Sequence, residues 1–356
     1  LTFQGDYTCN PKYIAEELLR ENSDYQLVWD VKTAYPTSDY PMGLKFVRHN
    51  TYEFYKELAS AKVIIENTNI VERLYAYKKK DQFLLQTWHG SLGIKRLDGD
   101  VVMGFRWKQL AKRCQKTVDY LLSNSDFETE VFRTAYWKDV PSILVGHARN
   151  DIFFMKDQEK IAQINKKVHR FLNIDEDTHI FLFAPTHRDD VDESYQPLNY
   201  EIIKEALEER FGGKWQIVIR LHNRLKKESR SWLNLLPSYV SDATFYEDMQ
   251  ELLLCTDVGL TDYSSWIFDF VLSGKPGFII ELNLEDYENA RGFYYPIDTT
   301  PFPIATSSEE LADNIRKFDA EKYAKDKDVF LAARGCMEDG HASERIVEKI
   351  NELMAK

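Results

Sequence analysis

The sequence predicts an α/β protein made of two Rossmann-like halves. Three observations carry that expectation. Short β-branched or apolar runs alternate with amphipathic helical stretches along most of the chain, and they fall into two series that divide near Asn150–Asp175. Runs of that kind, with helices between them, indicate parallel strands covered on both faces. The length, 356 residues, exceeds the roughly 250–300 at which a single hydrophobic core stops growing. The expected domains are therefore 1–150 and 151–334.

The elements follow in order. Asn10 then Pro11 reads as an N-cap with proline at the first helical position, and Ile14 and Leu18 share one face of the helix. Strands are expected at Gln26–Val31, Val63–Glu66, Phe83–Trp88, Tyr120–Ser123 and Ser142–Val145. Ser125 and Glu128 form a capping box ahead of Phe127 and Val131. The charged segment Lys156–Arg170 reads as a helix, so the joint between the halves is not a floppy linker. A second strand series is expected at His179–Ala184, Trp215–Leu221, Asp257–Leu260 and Gly277–Glu281. Thr244 with Glu247, and Ser307 with Glu310, repeat the capping signature. Gly274 and Pro276 mark the stop of a helix that begins near Ser265. A last helix over Ser343–Leu353 carries Ile346, Ile350 and Leu353 at helical spacing.

Composition excludes several classes. Hydrophobic residues make up 44% and charged residues 29%, the profile of a globular chain rather than a disordered one. No apolar run approaches the roughly 20 residues that span a bilayer. With 58 acidic and 46 basic residues the formal net charge is −12, which argues against broad nucleic-acid binding but leaves room for a local basic pocket. Cys9, Cys114, Cys255 and Cys336 form no CxxC pair, so neither a zinc site nor a disulfide framework is expected and a reducing, cytosolic setting fits better. The chain opens on Leu1 rather than methionine and shows no secretory signal, so it reads as trimmed or as a fragment.

In open α/β sheets ligands bind beyond the carboxyl ends of the strands, and four polar clusters stand at such ends. The first is Gln86-Thr87-Trp88-His89-Gly90-Ser91, with Lys95 and Arg96 following. His89 suits a general base, and equally a hydrogen-bonded structural histidine in a basic loop. Gly90 allows close backbone approach, and cations as near as Lys95 and Arg96 would hold the imidazole neutral by like-charge repulsion. The second cluster, Pro185-Thr186-His187-Arg188-Asp189-Asp190, suits an anion or nucleotide contact; two adjacent carboxylates alone do not make a metal site, and no metal is assigned. In the third, Arg220, His222 and Arg224 alternate onto one side of an extended chain and suit a diphosphate. The fourth, Thr261-Asp262-Tyr263-Ser264-Ser265, gathers hydroxyls and backbone N–H groups at a helix start; ordinary capping explains one serine but not the whole cluster. His147, in Val145-Gly146-His147-Ala148, reads as structural. GxGxxG, GxxxxGK[ST] and GxSxG are all missing, which counts against the usual dinucleotide fold, the P-loop and the α/β-hydrolases.

Taken together, QTWHG (86–90), PTHRD (185–189), RLH (220–222) and TDYSS (261–265) resemble, in order and rough spacing, the CDP-glycerol glycerophosphotransferases, the teichoic-acid primases and polymerases with their capsule-polymer relatives. Asn10-Pro11-Lys12, Phe268-Asp269-Phe270 and Gly274-Lys275-Pro276 are similar to the same family, and the resemblance covers about the whole chain. One stretch and two single positions depart from it. Ser91-Leu92-Gly93-Ile94-Lys95 stands where the family commonly reads Thr-Pro-Leu-Lys, His187 stands where tryptophan is frequent, and Asn223 where proline often follows the histidine.

The resemblance implies a GT-B architecture, two Rossmann-like domains facing a central cleft, with the C-terminal helix at about 335–356 packing back on the first. It implies transfer of a phosphopolyol from a CDP-polyol, glycerol more than ribitol, to a hydroxyl of a lipid-linked wall or capsule polymer, with release of CMP; no cofactor is assigned, and dependence on a divalent metal stays open. It further implies His89 as general base, with Trp88, Gly90, Ser91, Lys95 and Arg96 on the acceptor side. His222, Arg188, Arg220, Thr261, Asp262, Ser264 and Ser265 would serve the donor diphosphate. A lipid-linked acceptor implies a cytoplasmic protein at the inner membrane leaflet, for which Arg106, Trp107, Lys108, Lys112, Arg113 and Lys116 are the candidate face, equally readable as a solvated amphipathic helix. The competing readings are a CDP-ribitol ribitolphosphotransferase, a GT-B sugar transferase or nucleotide-sugar epimerase, and a non-catalytic acceptor-binding subunit.

Overall fold

The structure, a computed structural model, describes residues 7–21, 24–32, 40–73, 78–93, 95–101, 104–186, 198–221, 237–281 and 292–356. These pack as two units: Leu1–Gly90, Leu97–Phe154 and Arg334–Lys356 form the first, and Ser91–Arg96 with Met155–Ala333 the second. The short segment Ser91–Arg96 thus differs from the span 1–150 expected for the first domain. Tertiary bonds explain it: Lys95 pairs with Phe293 in an antiparallel bridge and the Arg96 N–H donates to the Gly292 carbonyl.

The first unit contains helices α1 (Cys9–Arg20), α2 (Tyr52–Ser60), α3 (Ile70–Arg73), α4 (Phe105–Thr117) and α5 (Asp126–Ala135). Its strands are β1 (Leu27–Val31), β2 (Leu44–Arg48), β3 (Val63–Glu66), β4 (Phe83–Gln86), β5 (Tyr120–Ser123) and β6 (Ser142–Leu144). Strands β3-β4-β5-β6 form a parallel sheet in chain order, and β1 pairs with β2 separately, also in parallel. The two-residue alternation of a strand sorts the core onto two faces. Leu85 and Leu122 pack on Ile14 and Leu18 of α1 and on Ile346, Ile350 and Leu353 of the C-terminal helix. Leu84 and Leu121, one position earlier, pack on Cys114, Phe132 and Trp137 instead.

The second unit holds α6 (Gln158–Leu172), α7 (Tyr200–Phe211), α8 (Met249–Cys255), α9 (Trp266–Phe270), α10 (Ser308–Arg316) and α11 (Ala320–Ala333). Strands β7 (His179–Phe183), β8 (Trp215–Ile219), β9 (Val240–Asp242), β10 (Val258–Thr261), β11 (Gly277–Ile280) and β12 (Ile304–Ala305) lie side by side in the order β12-β11-β10-β7-β8-β9, all parallel. Helix α12 (Ala342–Met354) returns to the first unit, where the Asp151 carboxylate accepts from the N–H groups of Ala342 and Ser343 at 3.0 and 2.7 Å.

Capping divides the sequence expectations. Ser125 and Ser307 accept from the N–H groups of Glu128 and Glu310, as their spacing predicts. Asn10 is not a cap: α1 begins at Cys9 behind Thr8, and the Asn10 amide is bonded elsewhere. Thr244 is not one either, since Asp248 caps α8 and the Thr244 hydroxyl accepts from the Leu221 N–H at 3.0 Å. In each case a tertiary partner outcompetes the local one. Strands β2, β9 and β12 were not expected, being short or flanked by polar residues. Strand β4 ends at Gln86 rather than at Trp88, because Trp88 takes a left-handed φ of 51°.

One position tests the packing of the first unit. A Cβ at Gly99 would overlap the Ala135 carbonyl, which belongs to helix backbone and cannot swing aside. Gly99→Ala should therefore cost about 1–3 kcal/mol of stability, read as a lowered denaturation midpoint with an unchanged slope.

Candidate functional site

In the first unit the loop after β4 is built by side chains on either side of it. The Glu66 carbonyl accepts from the Thr87 N–H, and the Gln86 side chain accepts from the Trp88 N–H at 2.9 Å while donating to the Thr68 carbonyl at 2.7 Å. Trp88 then turns left-handed, and its ring packs against those of Tyr136 and Trp137 in the core. That turn presents His89, half-buried, with its ring 4.3 Å from the Trp88 ring.

Imidazole chemistry here is fixed by one contact. His89 Nδ1 lies 2.5 Å from the Asn67 carbonyl. A carbonyl only accepts, so Nδ1 carries the proton and Nε2 keeps its lone pair. Burial pushes the His89 pKa down to about 4; the Asn67 carbonyl opposes this, and the charge of Arg149 adds to the depression. The ring is thus neutral at pH 7, the form in which Nε2 can take a proton. A cation that sequence reasoning did not name, Arg149, contributes to holding it neutral.

The second unit collects polar groups at the carboxyl ends of its middle strands. Chain order reverses at β7, which is flanked by β8 on one side and β10 on the other. A reversal of this kind opens a crevice for ligands in parallel sheets. Pro185-Thr186 follows β7, Arg220 follows β8, and Thr261–Ser265 runs from the end of β10 into α9. The inward members of this group build the loop. Thr261 donates to the Ala184 carbonyl at 2.8 Å, joined there by the Trp266 indole at 2.7 Å. The Asp262 carboxylate accepts from the N–H groups of Thr186 and Tyr263 at 2.7 and 2.5 Å. Thr261 and Asp262, 0% and 2% exposed, therefore face the protein.

Ser264 and Ser265 are half-buried. Ser265 occupies the cap position of α9, yet its hydroxyl makes no capping hydrogen bond. Segment Ser91–Arg96 lies alongside. A Cβ on Gly93 would sit 3.0 Å from the Ser265 Cβ, the Tyr295 hydroxyl donates to the Leu92 carbonyl, and Lys95 Nζ donates to the Thr186 hydroxyl at 3.2 Å. Ser91 and Lys95 are half-buried, and the exposed Arg96 donates through Nε to the Phe293 carbonyl at 3.1 Å. Lys95, expected on the acceptor side, is thus brought to the Pro185–Ser265 cluster.

Arg220 is half-buried and its N–H donates to the Phe183 carbonyl at 3.0 Å. His187, Arg188, Asp189, Asp190, His222, Asn223 and Arg224 lie outside the described residues. His147 is structural: fully buried in the first unit, its ring meets the Glu128 carboxylate at 2.9 Å and its N–H donates to Glu338. Among the described residues no group of three or more His, Cys, Asp or Glu is placed to hold a metal ion, and no helix is long and apolar enough to cross a membrane. Sequence reasoning missed Asn67, whose carbonyl sets the His89 tautomer, and Arg149; neither carries a local signal.

Comparison with known proteins identifies the family. The family model described as CDP-glycerol:poly(glycerophosphate) glycerophosphotransferase matches residues 2–352. A teichoic acid glycerol-phosphate transferase of Staphylococcus aureus is 31% identical over 98% of this chain and 91% of its own length. A teichoic acid poly(glycerol phosphate) polymerase of Staphylococcus epidermidis is 30% identical over 97% of this chain and 49% of its own length, so the chain spans about half of that relative. Among solved structures, a histidine-to-asparagine variant of the wall teichoic acid polymerase TagF soaked with CDPG aligns with a TM-score of 0.81 at 29% identity, covering 99% of this chain and 87% of that one. The likeness carries the GT-B fold class that the motifs implied.

Proposed function

The chain belongs to the CDP-glycerol:poly(glycerophosphate) glycerophosphotransferase family, and from that premise we propose that it transfers glycerol phosphate from CDP-glycerol to a hydroxyl of a lipid-linked wall-polymer acceptor, releasing CMP. The observation that carries this reading is a neutral histidine, tautomer fixed and Nε2 lone pair retained, in a loop of the first unit. It is supported by the two half-buried serines, one of them released from capping duty, at the strand-order reversal of the second unit.

In the reaction the acceptor oxygen attacks the β-phosphorus of CDP-glycerol. The new P–O bond forms as the bond to the bridging oxygen breaks, and that oxygen's electron pair leaves with CMP. His89 Nε2 takes the proton of the attacking hydroxyl. Ser264, Ser265 and Lys95, with Arg188, Arg220 and His222, bind the diphosphate and stabilise the charge that grows on CMP. Such transfers are catalysed mainly by positioning and electrostatic stabilisation. Asp262 and Thr261 hold the serine loop in shape.

The test is CMP release from CDP-glycerol and from CDP-ribitol with a synthetic lipid-linked acceptor, the product length being resolved. Release of CMP with CDP-glycerol is expected, and ribitol transfer should be the slower. No CMP from either CDP-polyol, with UDP or UMP and a sugar-bearing product formed when a UDP-sugar is supplied in their place, would support a sugar transferase instead.

The acceptor also implies docking at the cytoplasmic face of the membrane. On α4 the residues Phe105, Arg106, Lys108, Lys112 and Lys116 are exposed, whereas Arg113 is half-buried and Trp107 packs into the core of the first unit. The outward face is therefore basic with Phe105, not Trp107, as its aromatic. Changing Arg106, Lys108 and Lys112 together to Glu should abolish sedimentation with anionic vesicles, at about 1 kcal/mol for each cation removed. Binding that survives the triple variant would place the docking face elsewhere.

A further inference from the structure

Two buried side chains from distant parts of the chain meet behind the Thr87–Gly90 loop. Asn10 on α1, 1% exposed, donates through Nδ2 to the Thr87 carbonyl at 3.2 Å and the Trp88 carbonyl at 3.4 Å. Its Oδ1 accepts from the Arg149 N–H at 3.2 Å. Arg149, 2% exposed, donates through Nη2 to the Gly90 carbonyl at 2.5 Å and reaches the Cys9 sulfur at 3.8 Å. The carbonyls so held, those of residues 87, 88 and 90, bracket His89 on both sides.

The loop has reason to need holding. Trp88 sits at a φ of 51°, a conformation that costs a residue with a Cβ roughly 1–2 kcal/mol. Strain of this kind persists only where the surroundings over-determine it. An asparagine amide is the group for the task, since it donates to two carbonyls while accepting an N–H. The helix on which Asn10 sits does not use that amide as a cap.

We propose that Asn10 and Arg149 are positioning residues for the transfer, fixing the Trp88–Gly90 backbone so that His89 Nε2 meets the acceptor hydroxyl. This rests on the reading of His89 as the base. Several elements surround the ring: the loop after β3 supplies the Asn67 carbonyl, its own loop the Trp88 indole, and the 148–154 segment the Arg149 guanidinium. Arg149 thus acts twice, as an anchor of Gly90 and as the charge that opposes imidazolium.

The experiment compares Asn10→Ala, Arg149→Met and Arg149→Lys with His89→Gln, all in the full chain. With CDP-glycerol and a lipid-linked acceptor, kcat should fall about 10- to 100-fold in the first three, the range expected of a misplaced group. KM for CDP-glycerol should stay within about twofold, because neither residue belongs to the second-unit cluster assigned to the donor. NMR of ring-labelled histidine supplies a readout independent of activity. The His89 titration should move up from about 4 in Arg149→Met and stay low in Arg149→Lys, which keeps the charge but not the fork. Wild-type kcat in Asn10→Ala and Arg149→Lys, or an unmoved His89 titration in Arg149→Met, overturns the proposal. Wild-type turnover in His89→Gln overturns instead the reading on which it rests.

Discussion

Replacing His89 by alanine should lower turnover by roughly 10²–10⁴-fold, the range for loss of a general base, while donor affinity changes little. The division follows from the geometry. His89 belongs to the first unit and its Nδ1 is committed to the Asn67 carbonyl, so that Nε2 is its one basic nitrogen. Because burial holds the pKa near 4, activity should stay high well below the usual histidine range and decline only as pH approaches that value, where Nε2 is protonated. The check is a kcat profile from pH 4 to pH 8 alongside calorimetric titration of CDP-glycerol into the variant. A variant that binds donor poorly yet turns over normally at saturation would assign His89 to the diphosphate. His222→Ala, on the expected donor side, should weaken donor binding together with turnover.

Removing both hydroxyls in Ser264→Ala with Ser265→Ala should weaken CDP-glycerol binding by about 10- to 150-fold for each hydrogen bond lost, since each such bond to a charged phosphate is worth roughly 1.5–3 kcal/mol. The fold should tolerate the change. Ser265 makes no side-chain capping bond to α9, and the loop is carried by Thr261, Asp262 and the Trp266 indole, all directed to the β7 end. A melting temperature near that of the parent, combined with the affinity loss, is the expected pair of results. Unchanged donor affinity would leave the serines with no part in the diphosphate site. Asp262→Ala should behave oppositely, because it strands the buried N–H groups of Thr186 and Tyr263 and so disturbs the loop's shape and the protein's stability together.

What the sequence determined by itself is the part written in short-range pattern. Apolar runs and helical spacing placed most of the strands of both series and the last helix, and the serine-to-glutamate spacings at Ser125 and Ser307 located two helix starts correctly. The same locality put His89, Arg220 and the Thr261–Ser265 cluster at strand ends, because a strand's end is itself a local event. Tertiary structure alone decided the rest. The reversal of strand order at β7, the move of Ser91–Arg96 to the second unit and the inward turn of Thr261 and Asp262 have no local signature. Nor does the frame of the His89 loop, whose bonds join Asn10 to Thr87 across 77 positions, Arg149 to Gly90 across 59 and Arg149 to Asn10 across 139. Asn10 shows why: its residue type satisfies a cap and a long-range amide bridge equally well, and only the packing of α1 against the loop selects between them.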